Sequence, residues 1–215
     1  MRTLALEFSS TRRSVAAAGC EWEAFEAVCE NAGRDTSAFG LIHEVLTASK
    51  LDRREIECIA VGLGPGSYTG VRVGISIAQG WQIATGVKLV GVSSADAIAE
   101  EARRKEIRGP VTCVIDAQRQ EFCVAVYELQ DNEARATQAL RIETLGQLSE
   151  RAARGEVIIT PDALPIPART VFPTAFAIGT LARWRTDFVP GEKLEPIYLR
   201  ETAFIKAPPP RFASP

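Results

Sequence analysis

Apolar and polar positions alternate from the start of the chain. The run 3-TLALEFS-9 reads as a strand, breaks at Ser9-Ser10-Thr11-Arg12-Arg13, and resumes as 14-SVAAAG-19. The segment 22-WEAFEAV-28 alternates apolar and acidic residues, so a meander of three short strands is predicted. Next, 36-TSAFGLIHEVLTASK-50 has helical spacing, with Thr36 or Ser37 as its N-cap. A continuous apolar strand, 57-ECIAVGLG-64, runs into a helix over 70–85, followed by a strand at 88–93 and a helix at 94–105.

After a break at Arg108-Gly109-Pro110 the order begins again. Strands are predicted at 111–117, 121–129 and 138–143, then a helix at 144–153 and a strand at 156–160. The last helix is expected over 173–186, with Pro173 near its first position. The tail, 207-APPPRFASP-215, is expected to be disordered. Setting 4-LALEFSSTRRSVAAA-18 against 113-CVIDAQRQEFCVAVY-127 brings Glu7 within one residue of Asp116 at matching strand ends. The chain thus reads as α/β, in two lobes that each hold a mixed sheet flanked by helices: 1–107 and 108–206. A cleft between such lobes is a default small-molecule site. A single mixed-sheet domain is the alternative.

Composition narrows the function classes. The 215 residues are 46% hydrophobic and 24% charged, with a formal charge of −2, so no global basic field would capture nucleic acid. Arginine clusters at 12–13, 53–54 and 103–104 read as solvated turns or helix ends, with an RNA-backbone contact as the minor option. The five cysteines (20, 29, 58, 113 and 123) form no C-x-x-C pair and favour a reducing compartment over a zinc site or a disulfide framework. No apolar run is long enough to span a membrane and the start does not read as a signal peptide, so a cytoplasmic location is expected.

The stretch 62-GLGPGSYTGVRVGISIAQG-80 carries most of the chemical signal. Gly64, Gly66 and Ser67 shape a strand-to-helix turn whose N–H groups can receive an anion, or which simply rounds a tight corner. Ser67 or Thr69 can cap the helix. No lysine lies between Lys50 and Lys88, which excludes a Walker loop, and Ser67 breaks the dinucleotide fingerprint. Glu7 and Asp116, with Ser9 nearby, are the candidates for holding Mg²⁺ or a nucleotide; Asp162 and Asp187 add nothing convergent in the sequence. His43 is the single histidine, which rules out two-histidine metal motifs. Within the following helix Gly70, Gly74 and Ala78 form a small-residue ridge at i, i+4 and i+8, flanked by Val71, with Val73, Ile77, Trp81 and Ala84 on another stripe. That ridge suits close packing against a second helix. Leu41, Val45 and Ala48 on the preceding helix add apolar surface beyond what one sheet needs. A partner surface and double-sided burial within the chain both fit this pattern.

The block 64-GPGSYTGVRVGISIAQG-80, with 91-GVSSADAIA-99, 115-IDAQRQEFCVAVY-127 and 195-EPIYLR-200, resembles the signature of the TsaB family, also called YeaZ. The resemblance runs with gaps from about residue 3 to 200. It implies a duplicated fold of the actin, Hsp70 and sugar-kinase type. It further implies a non-catalytic role in making threonylcarbamoyladenosine on tRNA, without a required cofactor, weak ATP, ADP or Mg²⁺ binding aside. The implied partners are a TsaD-type transferase docked on the first-lobe helices, a TsaE-type ATPase, and a second copy through the same helices; tRNA would be contacted only indirectly. Carried over by position, the docking surface falls on Leu41, Val45, Ala48, Gly70, Val71, Gly74 and Ala78. The chain departs from the family pattern at Glu7-Phe8, where Asp-Thr is usual, at Gln118, where Arg is common, and in the short, proline-rich segment 161–173. The rival expectation is an actin-like ATPase or phosphotransferase with a Mg-nucleotide between the lobes.

Overall fold

The computed structural model describes residues 1–18, 24–30 and 38–199. Cys20, the Thr36 and Ser37 capping positions, the first residues of the third predicted strand and the tail lie outside the described residues.

The first sheet is built from β1 (Thr3–Glu7), β2 (Arg13–Ala18), β3 (Ala24–Cys29), β4 (Cys58–Gly62) and β5 (Lys88–Val92), in the order β3-β2-β1-β4-β5. The hairpin strands pair antiparallel, while β1, β4 and β5 run parallel through the crossover helices. Between them lie α1 (Ala38–Ser49) and α2 (Tyr68–Thr85), and α3 (Ser94–Arg104) follows β5. The second sheet repeats the plan. Strands β6 (Gly109–Asp116), β7 (Glu121–Leu129), β8 (Ala134–Thr144), β9 (Val157–Thr160) and β10 (Arg169–Thr170) take the order β8-β7-β6-β9-β10, with α4 (Leu145–Ala153) between β8 and β9. Glu7 and Asp116 end the equivalent strands β1 and β6. The halves differ after the fourth strand: β4 leads into the 18-residue α2, whereas 161–168 contains no helix.

Side-chain alternation assigns the layers. Leu4, Leu6 and Phe8 face α1 and α2 in one core, while Ala5 and its neighbours face the opposite side. That opposite side receives α5 (Ala175–Ala182), the last α-helix among the described residues, returned to the first sheet. Alanines dominate this seam: Ala5, Ala16, Ala60, Ala97, Ala175 and Ala177 are all buried, which lets the helix lie close to the strands. In exchange α3 packs on the second sheet, with Ile98 and Ala102 against Val111, Cys113 and Ile115. Tyr127 Oη donates to Asp96 Oδ1 at 2.7 Å across that contact. The touching helices α3 and α5 therefore form a central layer between the two sheets. Outside the second sheet α4 adds Leu148 to Val114, Val124 and Ile158, and Arg151 forks onto the buried Glu143 at 2.8 Å.

Two details correct the sequence reading. Thr174, not Pro173, opens α5: its hydroxyl accepts the Ala177 N–H, so the proline stands before the cap. The strand expected over 138–143 extends from Ala134 to Thr144, because cross-strand pairing with β7 carries it through a largely exposed, polar stretch.

Candidate functional site

The glycine-rich loop is clamped onto the β1–β2 turn. Ser67 N–H donates to Ser9 carbonyl oxygen at 2.6 Å, and Ser67 Oγ accepts the Gly70 N–H at 3.2 Å as the α2 cap. Gly66, at φ +145°, sits where a Cβ would lie 2.2 Å from the Ser9 carbonyl oxygen. At Gly70 a Cβ would stand 1.9 Å from the carbonyl oxygen of Phe8. These glycines let two backbones touch. The Ser67 N–H, expected to be available to an anion, is taken by Ser9.

Glu7 lies beneath this junction. Its carboxylate is fully buried, accepting from Ser9 N–H at 2.6 Å through Oε1 and from Ser94 Oγ at 2.9 Å through Oε2. Ser94 in turn accepts the Gly64 N–H at 3.1 Å and donates its own N–H to the Gly64 carbonyl. Burial raises the Glu7 pKa, and the Ser9 and Ser94 hydrogen bonds oppose that rise. Glu7 thus ties the turn, the glycine loop and the start of α3 together. Ser94, whose role has no sequence signal beyond its place at a helix start, completes the connection.

A cavity of about 570 Å³ opens between the lobes. The first lobe contributes Ser9, Gly64, Gly66 and Ser67, with Arg13 beside them; the second contributes Asp116, Gln118 and Asp162. Glu7 is not among the lining residues. Its carboxylate is consumed by Ser9 and Ser94, so the structure does not bring Glu7 and Asp116 to one surface. Asp162, which the sequence does not connect with anything, converges on Asp116 instead: its Oδ2 accepts the Asp116 N–H at 2.8 Å. Burial, assisted by the neighbouring Asp116 charge, raises the Asp162 pKa against the lowering effect of that hydrogen bond. Asp187 is elsewhere, paired with Arg185. Among the described residues no group of three His, Cys, Asp or Glu side chains could hold a metal ion. The residues present therefore do not fit a Mg-nucleotide gripped between Glu7 and Asp116.

The expected docking ridge faces inward. Gly70, Val71, Gly74 and Ala78 are buried beneath α2, and Leu41 and Val45 beneath α1. A Cβ on Gly74 would touch Val61 and Phe8, so the small-residue ridge lets α2 approach its own sheet rather than a partner helix. Ala48 alone of the expected set is exposed. The outward faces of α1 and α2 are made by other residues. Phe39 is 70% exposed and Ile83 88%, with Ser76, Gly80 and Ala84 exposed and Val73, Ile77 and Trp81 half-buried. The Val73-Ile77-Trp81 stripe is legible in the sequence; choosing which stripe meets the sheet needs the position of Phe8. No helix among the described residues is long and apolar enough to cross a membrane.

Residues 36–172 match the family model described as TsaD: tRNA N6-adenosine threonylcarbamoyltransferase. The tRNA threonylcarbamoyladenosine biosynthesis protein TsaB of Escherichia coli K12 is 38% identical over 92 residues, which is 43% of this chain and 40% of that protein. Its Bacillus subtilis counterpart is 28% identical over 94 residues, 44% of this chain and 40% of the relative. The chain's matched segment therefore spans about two fifths of these curated relatives. Two Pseudomonas aeruginosa structures are similar over nearly their whole length. One, described as a protein with similarity to peptidase YeaZ, has a TM-score of 0.78 at 25% identity, covering 93% of this chain and 99% of that one. The other, YeaZ, has a TM-score of 0.76 at 23% identity, covering 92% and 99%. With its strand order duplicated between two lobes and its glycine signature intact, the chain belongs to the family that this model describes and, within it, to the TsaB/YeaZ proteins.

Proposed function

We propose that the chain is a non-catalytic subunit of the machinery that makes threonylcarbamoyladenosine on tRNA, and that it docks a TsaD-type transferase on the outer faces of α1 and α2. The observation that carries this reading is the exposed apolar surface of those helices, from Phe39 to Ile83, in a chain whose relatives are named for that biosynthesis. Together with the half-buried Val73, Ile77 and Trp81 they give this side of the first lobe apolar surface that a partner can cover. The transferase is the chosen partner; a TsaE-type ATPase joins the assembly, and a second copy of this chain competes for the same face. Transfer chemistry belongs to the transferase, tRNA is reached only through it, and the setting is the cytoplasm.

The clamped glycine loop and buried Glu7 support a scaffold that works without bound nucleotide. The rival, a phosphotransferase using Glu7, Asp116 and Mg²⁺, predicts saturable heat on titrating the isolated chain with ATP and Mg²⁺; the scaffold predicts weak binding or none. The deciding experiment is co-expression with the cognate TsaD-type protein, then tRNA modification with and without this chain. Ile83→Asp and Phe39→Asp, both at exposed positions, should abolish co-purification and stimulation while retaining the wild-type circular dichroism and unfolding transition. Undiminished binding by both folded variants would place the interface elsewhere.

A further inference from the structure

After α5 the chain does not simply end on the first lobe. Val189 N–H donates to the Leu89 carbonyl at the edge of the first sheet, at 3.0 Å. Gly191 is then held by both backbone groups: its N–H donates to Gln82 Oε1 at 2.7 Å, and its carbonyl accepts from Gln79 Nε2 at 2.8 Å. The fit is close, since a Cβ on Gly191 would lie 3.1 Å from Gln82 Oε1 and 3.2 Å from Gln79 Cγ. Leu194 is buried in the first core. Ile197 N–H donates to the Leu63 carbonyl at 2.8 Å, and the Tyr198 hydroxyl accepts from Arg72 Nε at 3.1 Å. Leu199 packs against the second core. Within six residues the chain passes from one hydrophobic core to the other.

That crossing coincides with the interlobe cavity, four of whose lining residues are Pro196, Ile197, Tyr198 and Leu199. The lining also includes Ile115, Cys123 and Ile142 of the second lobe. The anchors differ in kind. Leu194 is buried in the first core and Leu199 packs against the second, whereas the half-buried Gln79 and Gln82 and the exposed Arg72 hold the stretch by side-chain hydrogen bonds alone. A segment whose hydrogen bonds to α2 rest on side chains can open locally without unfolding either sheet.

We infer that residues 189–199 form a latch over the interlobe cavity, held shut by α2 through Gln79, Gln82 and Arg72, and that its release exposes the cavity as a local opening. The latch belongs to the isolated chain and does not depend on any partner docking at α1 and α2.

Cys123 is the built-in reporter: it lines the cavity but is only 5% exposed, while Cys58, fully buried in β4 on the face that meets α5, reports opening of the first sheet. The test follows N-ethylmaleimide labelling of each cysteine by peptide mass mapping under native conditions, in wild type, in the Gln79→Ala, Gln82→Ala double variant and in Tyr198→Ala. The latch predicts that Cys123 labels about tenfold faster in the double variant, and faster in Tyr198→Ala, as expected for loss of one to two hydrogen bonds. Cys58 stays at its wild-type rate. Selective acceleration of Cys123 in either folded variant supports the latch. A Cys123 rate unchanged in both, or changed only in step with Cys58, overturns it. Failure to bind a transferase would leave this result untouched, and failure of the latch would leave the docking face untouched.

Discussion

Gly70→Ala tests the central structural claim, that the glycine signature exists to bring two backbones into contact. Taken as a helix position alone, the change should help, because alanine exceeds glycine in helix propensity by about 1 kcal/mol. The structure reverses the sign. The new Cβ would lie 1.9 Å from the Phe8 carbonyl oxygen, and that oxygen belongs to backbone that directly follows β1 and cannot rotate away as a side chain would. The α2 N-terminus must retreat by roughly 1 Å, which overpacks the site at a cost of about 1–3 kcal/mol. The retreat also stretches the Ser67 cap and the Ser67 N–H to Ser9 hydrogen bond, each contributing about 1 kcal/mol. After the propensity gain is subtracted, destabilisation of about 2–4 kcal/mol remains, or roughly 4–16 °C in Tm for a chain of this size. Urea and thermal unfolding measure it directly. Gly80→Ala is the matched control: it is an exposed position of the same helix with nothing within 4 Å of a Cβ, so propensity should win and stability should rise by up to about 1 kcal/mol. A Gly70→Ala variant as stable as wild type would refute the reasoning, whatever Gly80→Ala does.

Other consequences are as direct. Gly74→Arg should fail to fold rather than selectively sever a partner, since its side chain would enter the space held by Val61 and Phe8; a soluble variant with a wild-type unfolding transition would contradict this. The raised pKa of Glu7 carries a definite sign: its protonated form is the one the fold favours. Its contribution is full below the ordinary carboxylate value of 4.5 and is lost as pH rises through the raised folded value. Urea unfolding from pH 4.5 upward should therefore show wild type losing stability relative to Glu7→Gln, and a difference independent of pH would count against it. Arg151→Met leaves the buried Glu143 carboxylate without its main counter-ion, so unfolding should register a loss of about 3 kcal/mol. A loss below about 1 kcal/mol would show that Arg141, on the same carboxylate, suffices.

Much of the fold is legible because each element keeps its period. The meander, the two parallel crossovers and the repeat after Gly109 follow from strands that alternate and helices that cap, and the second half reproduces the strand order of the first. What the sequence hides are choices between faces. Gly70, Gly74 and Ala78 announce a close contact, but no periodicity says whether sheet or partner receives it; Phe8, arriving from β1, decides. The same limitation separates Glu7 from Asp116. Both end equivalent strands, yet Glu7 turns inward to Ser9 and Ser94, while Asp116 lines the cavity beside Asp162. Asp162 follows the end of β9, 46 residues from Asp116, and the parallel pairing of β6 with β9 brings the two together.

The duplication is also unequal, and the inequality bears on function. In the first half β4 launches a glycine turn and an 18-residue helix, which walls the cavity with its N-terminus and offers its outer face to solvent. The corresponding position after β9 holds 161–168, which contributes Pro161 and Asp162 to the cavity but no helix. A cleft that gripped a nucleotide from both lobes would use matching turns on each side. Here one turn is sealed against its own hairpin by Ser67 and Ser9, and the other is a short proline-rich connection. The two sheets repeat, whereas among the described residues the glycine turn with its long following helix stands in the first half alone. Under the proposed function the outer faces of α1 and α2 serve docking, and that role asks no chemistry of the polar groups left in the cavity.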